Sequence, residues 1–339
     1  MMTSLQIGSR RNLIIGGLLV VVLLVLVVES VTLLPRALQV WQPYDLRMYI
    51  EMGTIARTGI NPIGPLHYYP LPTVLWIFVP LSLMPDWFRF VWAIVPFAFI
   101  LILHRTNGLA FLLFPPFWFN ITDAMIDSWL LLPMKWLAEN RPRLAGIGAV
   151  ILLTKPQIAL LPVAFMFLRW LITRDWKNLS AFVIGLIAFC LPAFIFDPLW
   201  IVHMLQVIPQ RANESMVLLP LLTSSLWAWW WLGGIASIMF VALAVAAIAL
   251  AVRAFRRRGD TVAILQSCNQ LMIPILFAAN LTLLVPFLRT RREILIIVMI
   301  GLAAFALDAA LGGFGGGYAF IALAVLVLQQ RGNHADHTR

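Results

Sequence analysis

Charged residues are scarce in this chain of 339 amino acids: they make up 11% of it, with 14 Asp and Glu against 24 Lys and Arg. Soluble globular domains contain about 25% charged residues, so a soluble cytoplasmic enzyme is excluded. Hydrophobic residues account for 62% of the sequence, and the mean hydropathy is +0.94. The composition predicts an integral membrane protein.

Motifs for metal, disulfide and nucleotide sites are also lacking. The two cysteines, Cys190 and Cys268, lie in apolar segments without CxxC or Cys/His spacing, which gives no support for a disulfide or a structural zinc site. There is no DxD or HExxH motif, and the glycines within 312–317 lack the strand-to-helix context of a nucleotide-binding loop. We therefore expect no metal and no cofactor, and metal-dependent use of a nucleotide sugar is disfavoured.

Long apolar runs are abundant. Several approach or exceed the roughly 20 residues that a membrane-crossing helix needs, beginning with Leu13–Leu34. The runs are continuous, whereas the strands of an outer-membrane barrel alternate apolar and polar residues. The sequence predicts an all-α polytopic membrane protein, a single membrane domain over 1–339, with about nine to twelve transmembrane or re-entrant helices.

The formal charge of +10 arises mostly in short connections between apolar runs. This distribution is typical of the positive-inside pattern of membrane proteins and not of a nucleic-acid interface. It predicts that both chain ends lie in the cytoplasm. The predicted segments are a cytoplasmic N-terminus at 1–12, a first outer loop at 36–70, core helices at 71–196, a second outer loop at 197–219, C-terminal helices at 220–330 and a cytoplasmic tail at 331–339.

The first outer loop contains a predicted amphipathic helix, Tyr44–Thr58, which would lie along the outer membrane surface. Its polar stripe consists of Arg47, Glu51, Thr54 and Thr58. Asp45 stands at its start, where an aspartate often caps the first turn. The alternative is a general base at the mouth of a membrane cavity, which takes a proton from an acceptor hydroxyl.

Polar residues interrupt the apolar stretch 144–171 at Thr154–Gln157, and Pro156 predicts that two short helices meet there or that one helix kinks. Lys155 within this break has two interpretations. It is a cation that extends to the membrane surface from a helix end, or it is a ligand for a lipid-linked phosphate.

A second charged set, Asp123, Asp127 and Lys135, has a spacing that would place it near one helical face. Such a series would suit a proton or cation relay in a transporter. The alternative is a buried ion pair that fixes helix packing. Before it, the stretch Gly108–Asn120 contains two prolines and is too short to cross unaided, which predicts a re-entrant or broken helix.

Three segments occur in a familiar order. They are Tyr44-Asp45-Leu46-Arg47-Met48-Tyr49 with Gly59 and Asn61-Pro62; Tyr68-Tyr69-Pro70-Leu71-Pro72 with Pro80-Leu81 and Met84-Pro85; and Arg141-Pro142-Arg143-Leu144-Ala145-Gly146 leading to Lys155-Pro156-Gln157. Together they resemble the family 87 glycosyltransferases of the GT-C class, over about the first 180 residues. The chain departs from that family where its members carry a Gly-Gln pair, which is absent from 121–127, and in having Tyr-Pro-Leu-Pro for Tyr-Pro-Pro.

The resemblance implies an enzyme of the bacterial plasma membrane with its active site facing outside. It would transfer a hexose, typically mannose, with inversion and without a metal, from a polyprenyl-phosphate donor to a lipid or glycan acceptor. Asp45 matches the position of the expected base, and Lys155 is the matching candidate for the donor phosphate. The other candidate substrate-binding residues are Arg47, Tyr68, Tyr69, Gln157, His203 and Arg211.

Two other functions are compatible with the sequence. One is a transporter or lipid flippase that uses the Asp123, Asp127 and Lys135 series. The other is a non-catalytic subunit of a larger membrane complex, including a relative that has kept the scaffold and lost catalysis. Membrane lipids are expected partners in every case, and nucleic acid in none.

Overall fold

The computed structural model describes residues 43–59, 75–203, 205–206, 224–273, 277–311 and 315–330. These residues form α-helices and 3₁₀ segments, and no β-strand occurs among them. The predicted all-α class is thereby confirmed for this part of the chain. The apolar run Leu13–Leu34, the candidates Tyr68, Tyr69 and Arg211, and the tail 331–339 lie outside the described residues.

The described residues contain helices along the whole of the described ranges. In chain order they are α1 Tyr44–Arg57, α2 Leu75–Leu81, α3 Phe88–His104, α4 Pro115–Asp123, α5 Leu131–Ala138, α6 Leu144–Leu152, α7 Leu160–Thr173, α8 Trp176–Phe196, α9 Trp227–Trp231, α10 Ile235–Arg256, α11 Thr261–Met272, α12 Arg291–Ala310 and α13 Ala319–Gln329. The 3₁₀ segments are Arg105–Leu113, Ile126–Leu130, Pro156–Ile158, Ala278–Phe287 and Gly315–Tyr318.

Four helical stretches in the described ranges are long and apolar enough to cross a membrane: Phe88–Leu113, Trp176–Ile195, Ile235–Arg256 and Arg291–Ala310. Their surfaces are largely open to the surroundings; in α10, Ile235 is 82% exposed and Ile238 is 67% exposed. Apolar surface on this scale is stable against lipid tails and unfavourable in water. The chain is therefore a helical membrane protein. The predicted total of nine to twelve helices also includes segments outside the described residues and stays a prediction.

Helix α1 confirms the predicted amphipathic pattern. The stripe of Arg47, Glu51, Thr54 and Thr58 is exposed. The opposite face is buried, and the ring of Tyr49 stacks on that of Phe78 in α2 with centroids 4.4 Å apart. Gly53 allows this approach, because a Cβ atom there would overlap the carbonyl oxygen of Phe78. Helix α1 is thus fixed to the helical core by its apolar face.

Two predicted breaks are confirmed, and a third was missed. The stretch 144–171 is divided into α6 and α7 by the segment Pro156–Ile158, and the prolines of 108–120 separate a 3₁₀ segment from α4. The break that the sequence analysis did not predict separates α9 from α10, where Gly233 and Gly234 adopt positive φ angles of 69° and 53°. Glycine adopts this conformation without the steric cost that other residues have.

The centre of the fold is the 3₁₀ segment Ala278–Phe287, in which nearly every residue is buried. It packs against α4, α5, α11 and the segment Ile126–Leu130. A segment of this length without α-helical hydrogen bonds is tolerated at membrane depth only where protein surrounds it. Its position brings residues near 280 into contact with residues near 120 to 130.

Candidate functional site

Asp45 lies in the first turn of α1, on the edge of its buried face. The helix begins at Tyr44, so Asp45 is inside the helix and the interpretation as an N-cap is wrong. The hydroxyl of Tyr49, one turn later, donates a hydrogen bond of 3.2 Å to Oδ2 of Asp45. Burial raises the pKa of Asp45 from 3.8 to about 6, against the opposing effect of the positive charge of Lys155. The negative charges of Asp127 and Asp123 raise it further.

Lys155 occupies the junction between α6 and the 3₁₀ turn Pro156–Ile158, with non-helical backbone angles of φ −134° and ψ 72°. Its Nζ lies 2.8 Å from Oδ2 of Asp127. The Lys155 side chain is 18% exposed, whereas that of Asp127 is completely buried. The helix break predicted from Pro156 therefore leaves the side chain of Lys155 partly exposed.

Asp127 has a second partner that holds it in place. The Nδ2 group of Asn280 donates a hydrogen bond of 2.8 Å to Oδ1 of Asp127. Asn120 supports the same region, because its Nδ2 donates to the carbonyl oxygen of Ala279 at 2.7 Å and its Oδ1 accepts from the amide of Ser128 at 3.2 Å. A buried carboxylate needs such partners to offset the loss of hydration.

Three of the four buried polar side chains on α11 bind the turn that follows Lys155, and sequence analysis missed all four. They are Gln266, Ser267, Asn269 and Gln270. The amide groups of Gln266 and Gln270 both donate to the carbonyl oxygen of Ile158, at 2.9 and 3.1 Å. Asn269 donates to the carbonyl oxygen of Gln157 at 3.0 Å. The signal in the sequence was a cluster of amides inside an otherwise apolar segment, where each needs a hydrogen-bonding partner.

The remaining described candidates do not join this site through their side chains. Arg47 points outward from the polar face of α1, and the side chain of Gln157 is exposed while its carbonyl oxygen binds α11. The side chain of His203 contacts a residue six positions earlier, with Nδ1 2.7 Å from Oδ2 of Asp197. Among the described candidates, Asp45 and Lys155 interact electrostatically, since the positive charge of Lys155 lowers the pKa of Asp45 against the larger effect of burial.

The predicted series of Asp123, Asp127 and Lys135 along one helical face is wrong. Helix α4 ends at Asp123, and Ala124 has a positive φ of 50° that turns the chain away from the helix axis. Lys135 pairs with Glu139 at 3.0 Å, and Asp127 pairs with Lys155. No glycine or proline marks this helix end in the sequence.

No protein-family model, curated protein or solved structure matches this chain. The resemblance to family 87 glycosyltransferases therefore rests on the sequence segments alone. Within the described ranges, no group of three or more His, Cys, Asp and Glu side chains is placed to hold a metal ion.

The site combines one ammonium group with two carboxylates of different character. Asp127 is fixed between Lys155 and Asn280 and has no open side. Asp45 is half-buried, and with a pKa of about 6 it is ionised at neutral pH while still able to accept a proton. A carboxylate with these properties suits general base catalysis, and a partly open lysine suits an anionic ligand.

Proposed function

We propose that this protein is a membrane glycosyltransferase of GT-C type. It transfers a hexose, for which mannose is our first candidate, from a polyprenyl-phosphate donor to a lipid or glycan acceptor at the outer face of the bacterial plasma membrane. The observation that supports this proposal best is that the charge of Lys155 acts on the buried carboxyl of Asp45. These two residues are more than a hundred positions apart in the sequence. The family resemblance implies complementary roles for them in one reaction.

The proposed reaction is a direct displacement at the anomeric carbon. The acceptor hydroxyl attacks this carbon from the side opposite the phosphate, so that the configuration is inverted. Asp45 takes the hydroxyl proton as the new carbon–oxygen bond forms. The bond between the sugar and the phosphate oxygen breaks, its electron pair remains on the polyprenyl phosphate, and the ammonium of Lys155 stabilises the charge that develops there.

The raised pKa of Asp45 is consistent with this role. A base works best when its pKa is near the operating pH, because it is then ionised yet still able to hold the proton it accepts. Ordinary aspartates, with a pKa near 3.8, are weaker bases. We expect kcat/KM of the transferase to fall tenfold for each unit of pH below about 6, because protonated Asp45 cannot accept a proton.

The membrane setting supplies the second part of the proposal. A polyprenyl donor keeps its tail in lipid, so its enzyme must present the catalytic groups at the edge of a helical membrane core. The basic end of α10, with Arg253 and Arg256 in its last turn, would face the cytoplasm under the positive-inside rule. We place the proposed site on the opposite, outer side of the membrane, as the family resemblance implies.

The decisive experiment is a transfer assay with purified protein in lipid nanodiscs. A set of radiolabelled polyprenyl-phosphate hexoses is supplied with lipid extract as the acceptor. We expect the wild type to form a labelled product and Asp45→Asn to lower kcat by at least about a hundredfold. Glu51→Gln is the matched control, because Glu51 lies on the exposed face of the same helix. Failure of the wild type to transfer any sugar, or full activity of Asp45→Asn, would refute the proposal.

A further inference from the structure

Asp127 is the ion-pair partner of Lys155, and the reaction proposed above gives it no role. We propose that Asp127 is the counter-ion that weakens the hold of Lys155 on the leaving polyprenyl phosphate and so allows product release. This inference rests on the proposed function, and it concerns the same site. The Asp127–Lys155 ion pair then regulates phosphate affinity in addition to stabilising helix packing.

The geometry leaves Lys155 able to bind two anions at once. A lysine ammonium has three N–H donors, and here one is directed to Oδ2 of Asp127 at 2.8 Å. Asp127 cannot move aside when a ligand arrives, because it is completely buried and Asn280 holds its other oxygen at 2.8 Å. The Lys155 side chain is 18% exposed, so part of it remains open to a ligand. Any phosphate bound there therefore lies close to a fixed negative charge.

The charge of the phosphate changes during the reaction. In the donor it is a phosphodiester with a single negative charge. Once the sugar has left, it is a monoester that carries about −1.5 to −2 at pH 7. A lone ammonium would consequently bind the product more tightly than the donor. The repulsion from Asp127 also grows with the charge of the phosphate, so it weakens product binding more than donor binding.

The supporting network fits this role. The carboxylate is held by Asn280, and the lysine is held by the turn whose carbonyl oxygens bind Gln266, Asn269 and Gln270. Hydrogen bonds from distant parts of the chain thus restrain the carboxylate of Asp127 and the turn next to Lys155. A purely structural ion pair needs only a short distance between its two charges. A counter-ion must also stay at a constant distance from Lys155 while the phosphate binds and leaves.

The test measures binding of a short-chain polyprenyl phosphate to the full-length protein in nanodiscs, together with its inhibition constant as a product. Asp127→Asn keeps an oxygen that accepts from Asn280 and removes the negative charge. We expect this variant to bind polyprenyl phosphate at least about tenfold more tightly, with lower kcat and lower KM. Asp127→Glu should restore near-wild-type affinity, and Asp308→Asn on α12 serves as a control for a remote carboxyl. A residue with only a packing role would not tighten product binding.

The outcomes separate this inference from the function on which it rests. If the wild type transfers sugar and Asp127→Asn binds the product equally or more weakly, the counter-ion role is wrong and the transferase proposal stands. If the wild type neither transfers sugar nor binds polyprenyl phosphate, both are wrong. Should Asp127→Asn fail to fold, Lys155→Gln is compared with the Lys155→Gln/Asp127→Asn double variant, which carries no unpaired buried charge. Tighter binding by the double variant supports the role of Asp127, and equal binding contradicts it.

Discussion

Replacement of Asp45 by asparagine should stabilise the protein while it removes the proposed base. Burial makes the charged form of Asp45 unfavourable, which is why its pKa is raised from 3.8 to about 6. Asparagine has nearly the same shape, carries no charge, and keeps an oxygen that accepts the hydrogen bond from Tyr49. The variant therefore avoids the cost of a buried charge and retains the local contact.

The size of the effect follows from the two pKa values. A pKa of about 6 in the folded state and 3.8 in the unfolded state corresponds to about 3 kcal/mol at high pH. Below about pH 4 the carboxyl is neutral in both states, so the wild type and the variant should be similar. Between about pH 4 and 6 folding takes up a proton, and the stability of the wild type falls as the pH rises. Above pH 6 the variant should be more stable by the full amount.

The assay is unfolding by SDS in mixed micelles from pH 4 to 8, followed by tryptophan fluorescence. The stability difference between Asp45→Asn and the wild type should be small at pH 4 and reach about 3 kcal/mol at pH 8. Glu51→Gln, on the exposed face of α1, should show no comparable dependence. A difference that does not vary with pH, or a variant that is less stable at pH 8, would show that Asp45 is not a strained buried carboxyl.

Two further predictions concern how the helices are held. Gly53→Ala should destabilise the protein by about 1 to 3 kcal/mol in the same unfolding assay, because the new methyl group overlaps the Phe78 carbonyl. The control is the adjacent exposed change Thr54→Ala, which should cost less than about 0.5 kcal/mol. Equal losses of stability in the two variants would contradict the close approach of α1 and α2. Thr290→Ala should cost about 1 kcal/mol, because Oγ1 of Thr290 accepts from the amide of Glu293 at 3.2 Å and caps α12. Unchanged stability of this variant would show that the cap contributes nothing.

Local patterns in the sequence predicted local structure well. The period of the polar stripe identified α1, because the side chains of one helical face recur every three to four residues. Pro156 located the break at Lys155, since proline removes a backbone donor and cannot continue a helix. Both features depend on neighbouring residues only, and both are confirmed at the predicted positions.

Partners across the fold could not be predicted in the same way. Asp127 lies 28 positions from Lys155 and 153 positions from Asn280, and nothing in the local sequence links them. The relay along one face failed because the positive φ of Ala124 ends α4 without a glycine or proline as a signal. The prediction that Asp45 and Lys155 act in one site came only from the family resemblance, because periodicity contains no information about residues so far apart in the sequence.

The long sequence separation within the site has a consequence for biosynthesis. Lys155 leaves the ribosome well before Gln266 and Asn280, which follow it by more than a hundred positions and which fix its turn and its counter-ion. Until α11 and the segment after it have entered the membrane, the nascent chain holds an interrupted helix whose carbonyl groups have no donors. The translocon or water must satisfy these groups in the meantime.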